Sequence, residues 1–260
     1  MSERRKQRAA GVAGHRPSGS QRPQPVAPPA GAHATGHGHL PPATRLEFFS
    51  DAVFAFAATL LVVALEVPHT FPELEENLWG FLAFGASFVA LALIWSSHHA
   101  FFRRFPYADR ATVALNLTLL FVVLYYVYPL KFMTVSLFDV VLGLHPERRT
   151  AMFRGERDVA GMFIVYGIGF VAVFGVFSLL YRHAARIAPA LGFSPLQVHE
   201  ARAMQRQFLI LAGVGLLSIV TAAAGIGVRY GVPGYVYGLI GPLAWWHGTW
   251  SDRRAPAASA

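Results

Sequence analysis

Asp51 opens an apolar stretch: from Ala52 to Val63 no side chain is charged and only Thr59 is polar. A carboxylate facing lipid at a helix centre costs roughly 2.5–3.5 kcal/mol, so Asp51 must face protein or water. Two uses are open to it, an ion-path carboxylate or a polar anchor between helices, and the anchor is the plainer one. Thr59 also has two. Its hydroxyl can bond back to the Ala55 carbonyl, or a ring of such hydroxyls can coordinate a partly dehydrated cation. His98 and His99 are neighbours, and adjacent helical residues point about 100° apart, which makes them poor joint ligands for one metal. With Trp95 and Asn116, one of the two is expected to hydrogen-bond toward Asp51 and Ser50. That would tie the helix carrying Asp51 to the next two. A histidine there titrates near neutral pH and could confer proton sensitivity. No His-Glu-x-x-His string, facial triad or nucleophile–base set accompanies these groups, so neither an enzyme nor a metal site is expected.

The elements that position these residues follow from composition. Of 260 residues, 54% are hydrophobic and 14% charged, whereas soluble domains carry charge on about a quarter of their residues. Residues 78–97, 111–130, 159–181 and 208–228 are each free of charged side chains. Each is long enough to cross roughly 30 Å of hydrocarbon as a helix. The net charge of +8 does not point to nucleic acid. Residues 1–45 hold seven basic side chains and one acid, so they supply six of the eight charges, and no amphipathic basic helix or RNA-binding signature accompanies them. There is no cysteine, which excludes disulfides and thiolate metal sites.

Residues 1–44 are rich in Arg, Pro, Gly, Ala and His and read as a disordered basic tail; His33, His37 and His39 read as part of a polar linker. The first apolar stretch begins too late for a signal peptide. Thr44-Arg45-Leu46-Glu47 has the spacing of a capping box. Helices are expected over 45–67, 77–101, 110–131, 159–183 and 207–229, with a sixth over 235–250 that Gly238, Gly241 and Pro242 interrupt. Loop 69–76 carries Glu73, Glu75 and Glu76 and no base, whereas the next carries Arg103, Arg104 and Arg110. Arg182, Arg186, Arg202 and Arg206 follow the fourth helix, and Arg253 and Arg254 close the chain. This alternation places both termini in the cytoplasm. Tyr235 and Tyr237 beside Arg229 then mark one interface, and Trp245, Trp246 and Trp250 the other.

Arg45-x-x-x-Phe49-Ser50-Asp51, followed by Phe54-Ala55 and Thr59-Leu60-Leu61, resembles the signature of the transmembrane protein 175 family, potassium-permeable channels of lysosomes and bacteria. Trp95-x-x-His98-His99, then Asp109 and Asn116, resembles the family's next block, and Tyr128-Pro129 its third-helix end. The resemblance covers residues 45–130; beyond them it rests on helix count. It implies an all-α polytopic membrane protein of six transmembrane helices, with a pore formed between subunits by the first helix. By the same resemblance the protein is a homo-oligomer, a tetramer as in similar single-repeat members, in the lipid bilayer, which for a bacterial protein is the plasma (inner) membrane. Potassium is the permeant ion, with no cofactor and no nucleic-acid partner. The channel domain would cover 45–250, between the 1–44 tail and a short tail at 251–260.

Phe56, Leu60 and Val63 recur at i, i+4 and i+7 and share a helix face. In several copies around an axis they make apolar rings that gate by excluding water. By resemblance these positions match the family's hydrophobic constriction and Thr59 its polar layer. The family usually carries an aliphatic side chain where this chain has Phe56. Pro233-Gly234-Tyr235-Val236-Tyr237-Gly238 lacks the Thr-Val-Gly-Tyr-Gly string of a carbonyl filter and reads as a loop into the sixth helix. The alternative function is a proton channel or leak of the same architecture, with sodium a further permeant ion. A secondary transporter is less well supported, because no repeat is visible and only the sixth helix is broken.

Overall fold

The uncharged blocks become five long helices, each apolar enough to cross a membrane over part or all of its length. The computed structural model describes residues 43–63, 69–143 and 152–254, without the side chains of 72–79 and 252; all belong to the unit Gly36–Ala260. The basic tail with its three histidines, residues 64–67 of the expected first helix, and parts of the 132–158 loop and the C-terminal tail lie outside them. The helices are α1 (Thr44–Val63), α2 (Phe71–Arg104), α3 (Arg110–Leu142), α4 (Glu156–Ile187) and α5 (Pro195–Ala223). No strand pairs with them among the described residues.

Most of these helices run past the limits expected from hydropathy, because a helix need not stop where the hydrocarbon does. Instead of a loop, the stretch from Phe71 is the start of α2. Pro129 lies inside α3, which continues to Leu142 rather than ending at Lys131. A proline lacks only the N–H that would reach the carbonyl one turn earlier, and membrane helices tolerate that loss; beyond it Thr134 and Ser136 donate to the Lys131 and Phe132 carbonyls, at 2.9 Å each. The helix stops where Gly143 adopts φ +64°, a left-handed conformation suited to glycine.

α5 begins twelve residues before the expected start, because Ser194 and Gln197 form a reciprocal capping box ahead of the apolar block. It ends at Ala223, before the expected Arg229. The box expected at Thr44 does not form: Thr44 is already helical, and the Ala43 carbonyl accepts the Glu47 N–H at 3.0 Å. The expected sixth helix is helical from residue 232 to residue 252 in three pieces. They are a single turn (Val232–Tyr235), a tighter 3₁₀ stretch (Val236–Leu239) and α6 (Ile240–Asp252).

Neighbouring helices alternate in direction. Ser50, early in α1, meets Asn116, early in α3, whereas Trp95, late in α2, reaches back to Asp51. His183, late in α4, meets Asp109 at the start of α3, and His199, early in α5, meets Ser251, late in α6. The α4–α5 hairpin is the most extensive helix pairing, and it is close. A Cβ at Gly167 would stand 2.6 Å from Ile219, and one at Gly215 would stand 2.9 Å from Phe170. Glycine is what lets these two backbones approach. Phe208 stacks on Phe177 and Tyr181, with centroids 5.0 and 5.5 Å apart, and Phe101 of α2 meets Tyr181 edge-on at 5.0 Å.

Candidate functional site

α1 has two opposed stripes. Ser50, Phe54, Ala57 and Leu61 are buried and follow one another at steps of four, three and four residues, so they share a face. Ala52, Phe56, Thr59 and Val63 repeat those steps two residues later and are exposed. An offset of two residues turns the helix about 200°. The face carrying Phe56 therefore points away from the face packed on α2 and α3.

A directed chain of hydrogen bonds holds the buried stripe. The Asn116 carbonyl oxygen can only accept, so His98 donates to it from Nε2 at 2.8 Å. Asn116 Nδ2 donates to Ser50 Oγ at 2.9 Å, and Ser50 donates to the Leu46 carbonyl at 2.8 Å. Ser50, His98 and Asn116 are each no more than 1% exposed. Phe54 and Phe102 lie against the His98 ring, with centroids at 5.4 and 4.9 Å. A second connection runs nearer the surface. Trp95 Nε1 donates to Asp51 at 2.8 Å, and His99 stacks on Trp95 at 5.7 Å. The two histidines thus part company, His98 into the core and His99 to the exposed side.

The remaining motif residues fall elsewhere. Arg45 is exposed and has no ion pair or hydrogen bond among the described residues, and Phe49 is 52% exposed. Leu60 is half-buried against the core, at the edge of the exposed stripe, whereas Phe56 and Val63 are 56% and 73% exposed. Thr59 donates to the Ala55 carbonyl at 3.0 Å. That commits its proton and leaves the oxygen lone pairs on the exposed face.

Asp109 is not joined to the seam on α1. It caps α3 by accepting the Thr112 N–H at 2.8 Å and meets His183 Nε2 at 2.8 Å, which ties α4 to the α2–α3 turn. The hydrogen-bonded His183 partner was not legible beforehand, because it lies 74 positions away. The cap itself had a signal, an aspartate three residues before Thr112 at a helix start. Partial burial would raise the Asp109 carboxyl, but hydrogen bonds from Thr112 and His183 outweigh it and hold it below its ordinary value of 3.8. A carboxyl depressed by folding contributes stability above its unfolded value, and loses it as pH falls through the folded one. Asp109→Asn, which keeps a capping oxygen, is expected to melt several degrees lower near neutral pH. That deficit should shrink as pH falls below the ordinary carboxylate value and through the lower folded one. Thermal melting across pH checks it, and a deficit independent of pH would refute the charge as its source.

Among the described residues no group of three or more His, Asp or Glu is placed to hold a metal ion. What the site offers is a helix clamped by polar bonds on one face and bare on the other. The sequence profile of the family described as endosomal/lysosomal potassium channel TMEM175 matches residues 45–126. The chain is 35% identical over 181 residues to a potassium channel of Marivirga tractuosa, covering 68% of this chain and 73% of that one. It is 31% identical over 196 residues to a potassium channel of Chamaesiphon minutus, covering 72% of this chain and 88% of that one. A crystal structure of a variant of the potassium channel MtTMEM175 is similar with a TM-score of 0.72 at 29% identity, over 83% of this chain and 97% of that one.

Proposed function

The chain belongs to the TMEM175 family and is a multi-pass integral membrane protein, and from that premise we propose that it is a potassium-permeable channel whose pore is lined by α1. One chain supplies one such helix, so the pore forms between subunits, and we put their number at four. The observation that carries the pore assignment is the bare stripe of α1, opposite its polar seam. Copies of α1 facing a common axis would stack rings of Phe56, Leu60 and Val63, with Thr59 hydroxyls among them. Narrow apolar rings shed water and so raise the barrier to a hydrated ion. Ser50, Asp51, Trp95, His98 and Asn116 act as positioning residues. They set the rotation of α1 and with it the side chains presented to the ion. Asp109 and His183 brace the same end.

In this reading the stretch from 232 to 252 is a sixth span, broken by its 3₁₀ turn. The end bearing Ser50, Asp109 and most of the arginines is cytoplasmic, as basic residues favour that side. The protein needs no cofactor beyond the permeant ion and carries out no catalysis.

Reconstitution into potassium-loaded liposomes tests the assignment. A flux carried by potassium in preference to sodium and protons is expected, with Leu60→Ala raising it severalfold. Proton flux without potassium flux would replace this reading by a proton leak. An unchanged rate in Leu60→Ala would remove Leu60 from the constriction.

A further inference from the structure

Arg182 and Arg186 lie on successive turns late in α4, and Arg202 and Arg206 on successive turns early in α5. The i, i+4 spacing puts each pair on one helix face, and the antiparallel hairpin sets the two faces against each other. With Ala185, Pro189 and Gln205 the four arginines line a cavity of about 460 Å³. No carboxylate lines it, and none of the four is in an ion pair among the described residues. Ser178 Oγ donates to the Gln205 carbonyl at 3.1 Å, which pins the two helices beneath it. Arg206 also lies over the Trp250 ring at 5.6 Å, and Arg254 over the same ring at 4.1 Å.

The position of the cavity along the helices identifies what would fill it. The uncharged block of α4 ends at Tyr181, one residue before Arg182, and that of α5 begins at Gln207, one residue after Arg206. These two arginines therefore stand where hydrocarbon gives way to headgroups, and Arg186 and Arg202 stand about one turn, roughly 5–6 Å, further out. Trp245 and Trp246, exposed on α6, are of the type enriched at that interface. Four guanidinium groups around one cavity present paired N–H donors with no carboxylate partner among the described residues, and a phosphate can accept those bonds. We propose that the α4–α5 hairpin binds the phosphate headgroup of an anionic phospholipid in this arginine cradle. The proposal rests on the six-span reading only for placing the cradle in the cytoplasmic leaflet.

The test is lipid retention by the purified oligomer in detergent, titrated with dioleoylphosphatidylglycerol or dioleoylphosphatidylcholine and read by native mass spectrometry. Phosphatidylglycerol is expected to be held about tenfold more tightly than phosphatidylcholine. Pairing R182Q with R202Q should abolish that preference. R182K with R202K keeps the charge and should retain most of it, and R154Q with R157Q at the opposite end should leave it intact. If the first pair does not fold, R186Q alone should still lower the preference severalfold. Equal retention of both lipids by the unaltered protein would overturn the proposal. So would a preference that survives R182Q with R202Q, or one that millimolar inorganic phosphate erases, since the cradle would then be a site for soluble anions. Retention is measured without ion flux, so a failed pore assignment would leave this result standing, and the reverse.

Discussion

Phe56→Ala should raise potassium flux through the reconstituted protein by about tenfold or more. A phenyl side chain is worth about 1.5–3 kcal/mol of apolar transfer, and a ring of copies presents one from every subunit to the permeation path. Only about 1.4 kcal/mol of that need come off the barrier for a tenfold gain. Phe56 is 56% exposed on the bare stripe of α1, so the substitution should leave melting temperature and oligomer size nearly unchanged. Leu179→Ala, on an exposed part of α4, is the matching control and should leave flux alone. The measurement is potassium efflux from liposomes holding equal amounts of intact oligomer. If Phe56→Ala conducts like the parent, the stripe faces lipid, and the ring of phenylalanines does not exist.

Asn116→Leu should destabilise the protein by about 2 kcal/mol and lower its melting temperature by roughly 4–8 °C. Leucine has the same heavy-atom count and branching, with bulkier methyl ends, but cannot hold the ends of the chain between His98 and Ser50. Ser50 keeps its bond to the Leu46 carbonyl. His98 Nε2 loses its acceptor in a site where its Nδ1 has none among the described residues. A buried donor left unmade costs about 1–3 kcal/mol, more than the net value of the bond that was removed. Interhelical hydrogen bonds in membranes average about 0.6 kcal/mol, so a drop of that size would mean that His98 had found another partner. Thr118→Ala is the control: its exposed hydroxyl bonds only to Ala114 of its own helix. Asn116→Leu should also alter ion flux, the outcome expected of the positioning role proposed for Asn116. A variant that melts like the parent and conducts like it would dismiss the seam as a positioning device.

Much of the seam could be read before the fold was known. Asp51 and Ser50 stand at the head of an apolar helix, where unpaired polar groups are costly, and Trp95, His98, His99 and Asn116 were the polar groups within reach in the next two apolar blocks. Which histidine turns inward was not readable. Adjacent residues differ by about 100°, and only the packing of Phe54 and Phe102 around His98 decides. The partner of Asp109 was hidden for a related reason. Its motif placed it beside the seam in sequence, while its partner His183 comes from a helix that no local signal connects to it. Arg45 and Phe49 share the motif and remain at the surface.

Helix ends were legible only where a backbone device marked them. The Ser194–Gln197 box is written in the sequence, yet hydropathy alone put the start of α5 at Gln207. Tyr128-Pro129 marks a helix end by resemblance, yet Pro129 lies within α3, since a proline removes one backbone bond and membrane helices tolerate that.

Composition and spacing by themselves determined that the chain is helical, that it carries membrane-length spans and that Phe56 and Val63 share a face, because these properties depend only on neighbours along one helix. Tertiary structure decided the rest: the stripe of α1 left bare, the inward turn of His98, and the meeting of two arginine pairs across the α4–α5 hairpin. Those outcomes depend on how helices rotate and approach one another, which is set by contacts such as Gly167 with Ile219, between residues far apart in the chain.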